Sequence, residues 1–317
     1  MSEPVLSAQG LRLRYPGGVQ ALRGVTLEVQ PGEVLGIAGE SGCGKSTLAG
    51  ALIHLLGAGA EVTEGAVRLK GEDLTALPER RRRALRGREI AMVFQDPLTA
   101  FNPVLKIGAQ LTDFQINAEG STREKRARAA AMLAKVGLEP ELAMARYPHE
   151  LSGGMRQRAA IAAALLMRPN VLIADEPTTA LDVTMEAQII HLLRELQGEV
   201  GCAIVIVTHH LGVIAELCDR VAVMYAGEVV EVAPVDDLYH APLHPYTKAL
   251  LACDPAVLEA NTGRLPTIGG RLPDLTDPPA GCAFAPRCPL ASDICATPPP
   301  RVRPAPGREA LCHKVAP

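Results

Sequence analysis

The feature that most constrains the fold of this chain is a glycine-rich run at residues 39–47, which reads G-E-S-G-C-G-K-S-T. It fits the pattern G-x-x-x-x-G-K-[S/T], in which backbone amides and a helix start surround phosphate groups. The apolar run at residues 33–38 predicts a buried strand before it, and residues 47–53 predict the first turns of a helix after it. The sequence therefore has the strand–loop–helix context that a nucleotide-binding loop requires.

The backbone and the side chains of this loop have separate predicted roles. Glycines let the chain approach an anion closely, and the helix start adds unpaired N–H groups and a favourable dipole. Lys45 is expected to reach the β- and γ-phosphates, and the Ser46 hydroxyl is expected to bind Mg²⁺. The residues predicted to contact the nucleotide are Gly39, Glu40, Ser41, Gly42, Cys43, Gly44, Lys45, Ser46 and Thr47.

A second motif is an apolar run at residues 171–174 that ends in two acids, Asp175 and Glu176. Two adjacent acids at a strand end are often only a solvated corner. Here the phosphate loop upstream and the run P-T-T-A-L-D at residues 177–182 favour a nucleotide site. We expect Asp175 to hold Mg²⁺ through water and Glu176 to polarise the water that attacks the γ-phosphate.

The pattern of the whole chain predicts an α/β fold. Strands that alternate with helices indicate a mostly parallel sheet covered on both faces, and apolar residues make up 48% of the 317-residue chain. Helical periodicity across about residues 98–168 predicts an inserted helical subdomain. Beyond residue 233 we expect a short helix at residues 245–251, followed by a proline-rich tail with little regular structure. The predicted domains are residues 1–233 and residues 234–317.

Composition argues against several classes of protein. The net charge is −3, aromatic residues make up 3% and tryptophan is absent, so no nucleic-acid partner is expected. No apolar run approaches the length of a membrane span, and residues 1–4 do not resemble a signal peptide. These features predict a cytosolic location. The four arginines at residues 80–83 predict a solvated helix face.

Four of the eight cysteines are concentrated near the end of the chain, with the spacing C-x5-C-x6-C-x16-C. In a cytosolic chain such crowding indicates a metal more often than a disulfide. The spacing matches neither a paired zinc finger nor the bacterial ferredoxin run. Zinc, an iron–sulfur cluster, a mixed site with His313 and a tail of free thiols all remain open at this point. The candidate ligands are Cys282, Cys288, Cys295 and Cys312.

The order of the motifs resembles the ATP-binding subunits of ABC transporters, over about residues 5–233. The run Leu151-Ser152-Gly153-Gly154 resembles the signature of that family, which kinases, GTPases and helicases lack. The resemblance also covers the phosphate loop, Gln95, Val171 to Glu176, Ala180-Leu181-Asp182 and His209. It implies the ABC ATPase version of the phosphate-loop fold.

A narrower resemblance is to the importers of oligopeptides and dipeptides. The run F-Q-D-P-L-T-A-F-N-P-V at residues 94–104 is similar to that group, and its N-P-V resembles the D-type subunit of a pair. Residues 155–158, 242–247 and 282–289 are similar to the group as well. This tail also occurs in importers of nickel chelates and other small solutes. The resemblance implies a [4Fe–4S] cluster on the four tail cysteines, with Zn²⁺ as the alternative.

The resemblance also implies how the site works. Two ATP-binding subunits pair head to tail, so that ATP lies between the phosphate loop of one and Ser152, Gly153 and Gly154 of the other. Glu176 and His209 are the implied catalytic residues, and the implied Mg²⁺ ligands are Ser46, Gln95 and Asp175. Tyr15, which alone could be a half-buried strand residue, is implied to stack on adenine. His210 departs from the aspartate usual after the histidine, so the choice of His209 over His210 rests on position.

The implied partners are a second, non-identical ATP-binding subunit, two membrane permease subunits and an extracytoplasmic solute-binding protein. The implied location is peripheral, on the cytoplasmic face of the cell membrane. The implied function is ATP hydrolysis that powers uptake of di- or oligopeptides, with a nickel chelate or another solute as the alternative. A soluble ABC ATPase of DNA repair or translation is a weaker alternative, because the chain has neither a long coiled coil nor a second cassette.

Overall fold

The chain forms two compact units. The computed structural model describes residues 3–97, 99–116, 118–178, 183–254 and 267–316. The first unit comprises Met1–Val29, Glu33–Ala76 and Val207–Pro317, and the second comprises Gln30–Gly32 and Leu77–Ile206. Residues on both sides of the predicted boundary at 233/234 belong to the first unit, so the proposed division into domains stays a prediction.

Strands and helices alternate along the described chain. In chain order the strands are β1 (Leu6–Arg14), β2 (Gln20–Val29), β3 (Val34–Ala38), β4 (Glu61–Leu69), β5 (Glu72–Asp73), β6 (Ile90–Val93), β7 (Val171–Asp175), β8 (Ala203–Val207), β9 (Arg220–Tyr225), β10 (Glu228–Pro234), β11 (Arg301–Ala305) and β12 (Arg308–Leu311). The α-helices are α1 (Lys45–Leu52), α2 (Glu79–Leu85), α3 (Ile107–Asp113), α4 (Thr122–Lys135), α5 (Pro140–Ala145), α6 (Gly153–Leu165), α7 (Val183–Val200), α8 (Leu211–Leu217), α9 (Val235–His240) and α10 (Pro245–Ala252). None of these helices is both long and apolar enough to cross a membrane.

An antiparallel sheet with the order β2-β1-β4-β5 forms one part of the first unit. The sequence predicts two short strands at residues 5–8 and 11–15, but the structure has the single strand β1. Its register against β2 shifts between Ala8 and Leu11. A bulge of this kind bends a strand without ending it, and Leu11 and Leu13 beyond it remain buried.

The second sheet of this unit carries the phosphate loop. Its strands lie in the order β11-β12-β10-β9-β3, with β3 parallel to β9 and the other pairs antiparallel. All five residues of β3 are buried, as expected of a parallel strand covered on both faces. Helix α8 packs against β3. The strand is therefore a fixed support for the loop that begins at Gly39.

The expectation of little regular structure in the C-terminal stretch is wrong for its last part. Strands β11 and β12 form a hairpin that pairs with β10, with Glu231 opposite Ala310. Pro304 lies in β11, which is the outermost strand of the sheet. A proline is tolerated at a sheet edge because it has no N–H to donate to a further strand.

The second unit holds β6, β7 and most of β8, with β7 in the middle and β6 parallel to it. Between β6 and β7 the chain forms α3, α4, α5 and α6. Helices α3, α4 and α5 pack on one another, and α4 also packs on α6. Ser121 and Glu124 form a capping box that starts α4. The α/β class with a helical insertion, predicted from the alternating pattern, is confirmed.

Candidate functional site

The phosphate loop joins the end of β3 to the start of α1. Gly39 and Gly44 have φ values of 148° and 105°, which residues with a side chain rarely adopt. A Cβ on Gly39 would lie 2.8 Å from the Cys43 sulfur, and one on Gly44 would lie 2.6 Å from the carbonyl oxygen of Ala21. Both positions therefore need glycine for conformation and for space.

Lys45 is held inside this loop. Its side chain is almost fully buried, and its Nζ donates to the carbonyl oxygens of Gly39 at 2.7 Å and of Glu40 at 3.0 Å. Ser46 is exposed one position further into α1. The first N–H groups of a helix have no partner within the helix, so the start of α1 offers donors and a positive dipole to an anion.

Two other predicted residues are Tyr15, which lies beside the loop, and Cys43, which lies within it. The Tyr15 hydroxyl lies 3.4 Å from Thr47 Oγ1 at the start of α1, which brings the tyrosine ring next to the phosphate loop. The Cys43 side chain is fully buried, and burial raises the pKa of its thiol. Cys43 is therefore a packing residue, and only its backbone belongs to the loop.

His209 and His210 follow β8, and both are exposed. Their rings lie edge to face with centroids 4.4 Å apart. The N–H of His210 donates to Thr208 Oγ1 at 3.0 Å, and His210 precedes the first residue of α8. The role of His209 at the phosphate stays a prediction.

The second unit brings Gln95, Asp175 and Glu176 together at the ends of β6 and β7. Asp175 is buried, and Glu176 accepts a hydrogen bond at 3.0 Å from the Gln95 side-chain amide. Glu176 has a φ of 45°, in the left-handed region. Strained backbone at a non-glycine residue is common where a side chain must be held in a functional position. The structure therefore fixes the Glu176 carboxylate both through its backbone and through Gln95.

The signature residues start α6, also in the second unit. Ser152 caps the helix, and its Oγ accepts from the N–H of Met155 at 3.3 Å. A Cβ on Gly153 would meet nothing within 4 Å, whereas one on Gly154 would lie 2.5 Å from Met185 Cε. The helix start is thus open at Gly153 and closely packed at Gly154. The predicted run at residues 180–182 lies outside the described residues.

All four tail cysteines line one pocket in the first unit, together with His244 and His313. The N–H of Cys282 donates to the Cys295 carbonyl at 2.9 Å, and the N–H of Lys314 points at Cys312 Sγ at 3.3 Å. Burial raises the pKa of the Cys282 and Cys288 thiols. Among the described residues, no group of three or more Cys, His, Asp or Glu is arranged to hold a metal ion.

His244 is an unexpected part of this pocket. Its side chain is 1% exposed, and its Nδ1 accepts from the N–H of Tyr246 at 3.0 Å. The proton of the neutral ring is therefore on Nε2, which is buried and makes no hydrogen bond of normal geometry within the described residues. His244 therefore adds a buried imidazole to the lining of the cysteine pocket.

Sequence reasoning missed two residues near the phosphate loop, Tyr246 and Arg287, which both contact Glu40. In the sequence, these two residues stand out only because they lie in the runs at residues 242–247 and 282–289, which resemble the peptide importers. Nothing in those runs indicates a contact with the phosphate loop.

Comparisons with known proteins agree with this arrangement. A sequence profile described as "ABC transporter" matches residues 22–179, and one described as "Oligopeptide/dipeptide transporter, C-terminal region" matches residues 230–295. Two of the most similar relatives are from Bacillus subtilis. The dipeptide transport ATP-binding protein DppD is 46% identical over 92% of this chain and 89% of its own length. The oligopeptide transport ATP-binding protein OppD is 46% identical over 88% of this chain and 79% of its own length.

Solved structures extend the likeness to the fold. The ATP-binding cassette MJ0796, in a dimeric structure bound to ADP and Pi, is 31% identical over 73% of this chain and 98% of its own, with a TM-score of 0.66. The protein cbiO1 from Clostridium perfringens, part of the ABC transporter complex cbiONQ, is 30% identical over 76% and 92%, with a TM-score of 0.66. The chain therefore belongs to the family of ATP-binding proteins of ABC transporters for oligopeptides and dipeptides.

Proposed function

We propose that this chain binds and hydrolyses ATP to power the uptake of di- or oligopeptides through an ABC importer, and that it is the D-type subunit. The observation that carries the proposal is that one chain holds the phosphate loop, the signature helix and a C-terminal region of the oligopeptide/dipeptide transporter type. The relatives DppD and OppD are named as dipeptide and oligopeptide transport proteins, which supports a peptide solute.

In this proposal, the first unit binds the nucleotide. Tyr15 stacks on adenine, and the backbone amides of residues 39–47 surround the phosphates. Lys45 exchanges its contacts with loop carbonyls for the β- and γ-phosphate oxygens, because an ammonium bonds an anionic oxygen more strongly than a neutral one. His209 contacts the γ-phosphate.

The second unit supplies Gln95, Asp175 and Glu176 for hydrolysis. Asp175, Gln95 and the Ser46 hydroxyl are the proposed holders of Mg²⁺, which neutralises charge on the phosphates when bound. Glu176 orients the attacking water, and the Gln95 amide keeps the carboxylate in place. Ser152, Gly153 and Gly154 are proposed to bind the γ-phosphate of ATP held by the partner subunit, since the start of α6 is open at Gly153.

The proposed partners are a second, non-identical ATP-binding subunit, two membrane permeases and an extracytoplasmic solute-binding protein. The proposed location is the cytoplasmic face of the cell membrane, attached through the permeases. No nucleic-acid partner is proposed. Membership of a family whose members are named as transport ATP-binding proteins supports this assembly.

The solute can be tested in the assembled importer, reconstituted in lipid vesicles with its solute-binding protein. We expect ATP hydrolysis to rise when the binding protein carries a dipeptide or an oligopeptide, and Lys45→Ala to abolish the response. Stimulation by a nickel chelate and not by peptides would identify a non-peptide importer. A response to ribosomes or DNA, with no response to any solute, would favour the soluble classes.

A second prediction concerns the chain on its own. Because the start of α6 is proposed to complete the partner's site, the isolated chain should hydrolyse ATP about 10²-fold more slowly than the assembled importer. The measurement is specific activity against protein concentration, with the assembled importer as reference. Full activity that persists on dilution of the pure chain would contradict a shared site.

We further propose that the four cysteines that line the tail pocket hold a [4Fe–4S] cluster. A cluster spreads its four thiolates over separate irons, so it requires a common pocket and not one convergent point. Four thiols that line one pocket support a shared metal centre, with Zn²⁺ as the alternative outcome.

A further inference from the structure

Glu40, the second residue of the phosphate loop, is held at three points. Its side-chain oxygens accept from both terminal nitrogens of Arg287, at 2.8 and 2.9 Å. Its N–H donates to the Tyr246 hydroxyl at 2.9 Å, and its carbonyl accepts from Lys45 Nζ. Arg287 and Tyr246 both lie in the C-terminal stretch, which is more than 200 residues from Glu40 in the chain.

The ion pair between Arg287 and Glu40 is largely shielded from water. The Arg287 side chain is 4% exposed and that of Glu40 is 28% exposed. The guanidinium also donates to the carbonyls of Gly269 at 2.8 Å and Ile268 at 3.0 Å. Hydrogen bonding to Glu40 raises the pKa of Arg287 above its ordinary value. A bidentate pair of a guanidinium and a carboxylate fixes the orientation of both side chains as well as balancing their charges.

The Arg287 and Tyr246 side chains, which contact Glu40, are themselves fixed by an aromatic cluster. Tyr225, Tyr246 and Phe284 pack with ring centroids 4.6 to 5.3 Å apart, and all three are almost fully buried. Phe284 lies between Cys282 and Cys288, and the Tyr225 hydroxyl lies 3.3 Å from Arg287. The Tyr246 hydroxyl therefore cannot swing away from Glu40 without disturbing the cluster.

We propose that Arg287 and Tyr246 are positioning residues for ATP binding, so that the cysteine-containing segment of the C-terminal region is part of the ATP-binding machinery. Arg287 does this in two ways. It fixes Glu40, whose carbonyl helps to place Lys45, and it neutralises a carboxylate that would otherwise repel a triphosphate at the same loop. This role goes beyond the proposed transport function and does not depend on a metal.

Because Arg287 both positions Glu40 and neutralises its carboxylate, variants of the two residues should differ in their affinity for MgATP. Arg287→Ala leaves Glu40 charged and unpaired, and should weaken MgATP binding about 10-fold. Glu40→Gln removes the ion pair and also removes the repulsion, and should weaken binding only about 3-fold. The double variant should bind like Glu40→Gln, because there is no longer a carboxylate to repel the phosphates. Arg287→Lys keeps the positive charge but cannot make the bidentate hydrogen bonds. Its affinity for MgATP should lie between those of the parent and Arg287→Ala.

The experiment measures the dissociation constant of a fluorescent ATP analogue on the full chain, and KM and kcat for ATP in the assembled importer. We expect KM to rise in parallel with the dissociation constant while kcat changes less than about twofold, because the proposed hydrolysis groups are on other elements. Arg303→Ala is the matched control. It removes an exposed guanidinium that pairs with Glu309 in the same C-terminal region, and it should not change the affinity for ATP.

The proposal is overturned if Arg287→Ala lowers the melting temperature but binds ATP within about twofold of the parent. It is equally overturned if the double variant is weaker than both single variants. If Arg287→Ala does not fold, Glu40→Gln and Tyr246→Phe decide the question, since neither change empties the core. Parent affinity in both of these variants would exclude a positioning role.

Discussion

Replacement of Glu176 by glutamine is expected to lower ATP hydrolysis by the assembled importer about 10²- to 10⁴-fold while MgATP binding is kept. The two side chains have the same shape, so the strained backbone at residue 176 and the contact with Gln95 can persist. What is lost is the carboxylate that we propose orients and polarises the attacking water. Binding persists because the residues proposed to bind the phosphates are in the loop at residues 39–47.

The measurement is kcat in the assembled importer together with the affinity of the full chain for an ATP analogue. Glu199→Gln is a matched control, because Glu199 is an exposed glutamate of the second unit that pairs with Lys135. It should leave both quantities unchanged. Hydrolysis at the parent rate in Glu176→Gln would show that another group activates the water.

The phosphate loop and the two acids could be predicted from sequence because each is a local motif. The conformation of Gly39 and Gly44 follows from a loop that must pass close to Ala21 and Met224, and only glycine fits there. The residue types at a few consecutive positions are therefore enough to predict the conformation of this loop. The same holds for Ser152, whose position before a helical run predicts the cap that the structure shows.

The contacts around Glu40 could not be predicted in this way. The arginine that binds it is 247 residues away in the chain, and the intervening residues do not encode the approach. The hairpin of β11 and β12 was missed for a related reason. Pro304 and the short runs around it suggest irregular chain, and only the free edge of β10 makes them strands.

The pocket of four cysteines could be predicted only in part from the sequence. Spacing alone left zinc, a cluster and free thiols open, because it matches neither a paired zinc finger nor the bacterial ferredoxin run. The structure places all four on one pocket and adds the buried ring of His244, which no sequence pattern indicates. The crowding in sequence makes the four thiols candidates, and tertiary packing adds that they line a single pocket.

Replacement of Cys288 by serine is therefore expected to remove nearly all of the iron that we propose the parent protein carries. Parent protein purified without oxygen should be brown, with broad absorbance at about 400 nm from thiolate-bound iron. Serine keeps the size of the side chain but replaces a soft thiolate with a poor ligand, so the cluster should be lost. The measurements are iron and sulfide content and the visible spectrum.

Cys253→Ser is the control, because Cys253 is outside the pocket and should not affect iron content. The proline-rich stretch buries few residues of its own, so energy from cluster binding should stabilise its fold. Cys288→Ser should accordingly expose the stretch beyond residue 288 to proteolysis. MgATP binding should stay largely intact, because the contacts that hold Arg287, with Glu40, Gly269 and Ile268, involve no cysteine. One zinc per chain in colourless anaerobic protein would identify the alternative metal. Protein with neither iron nor zinc, and with four tail thiols that react freely, would refute a metal site, and the cysteines would then be packing residues around His244.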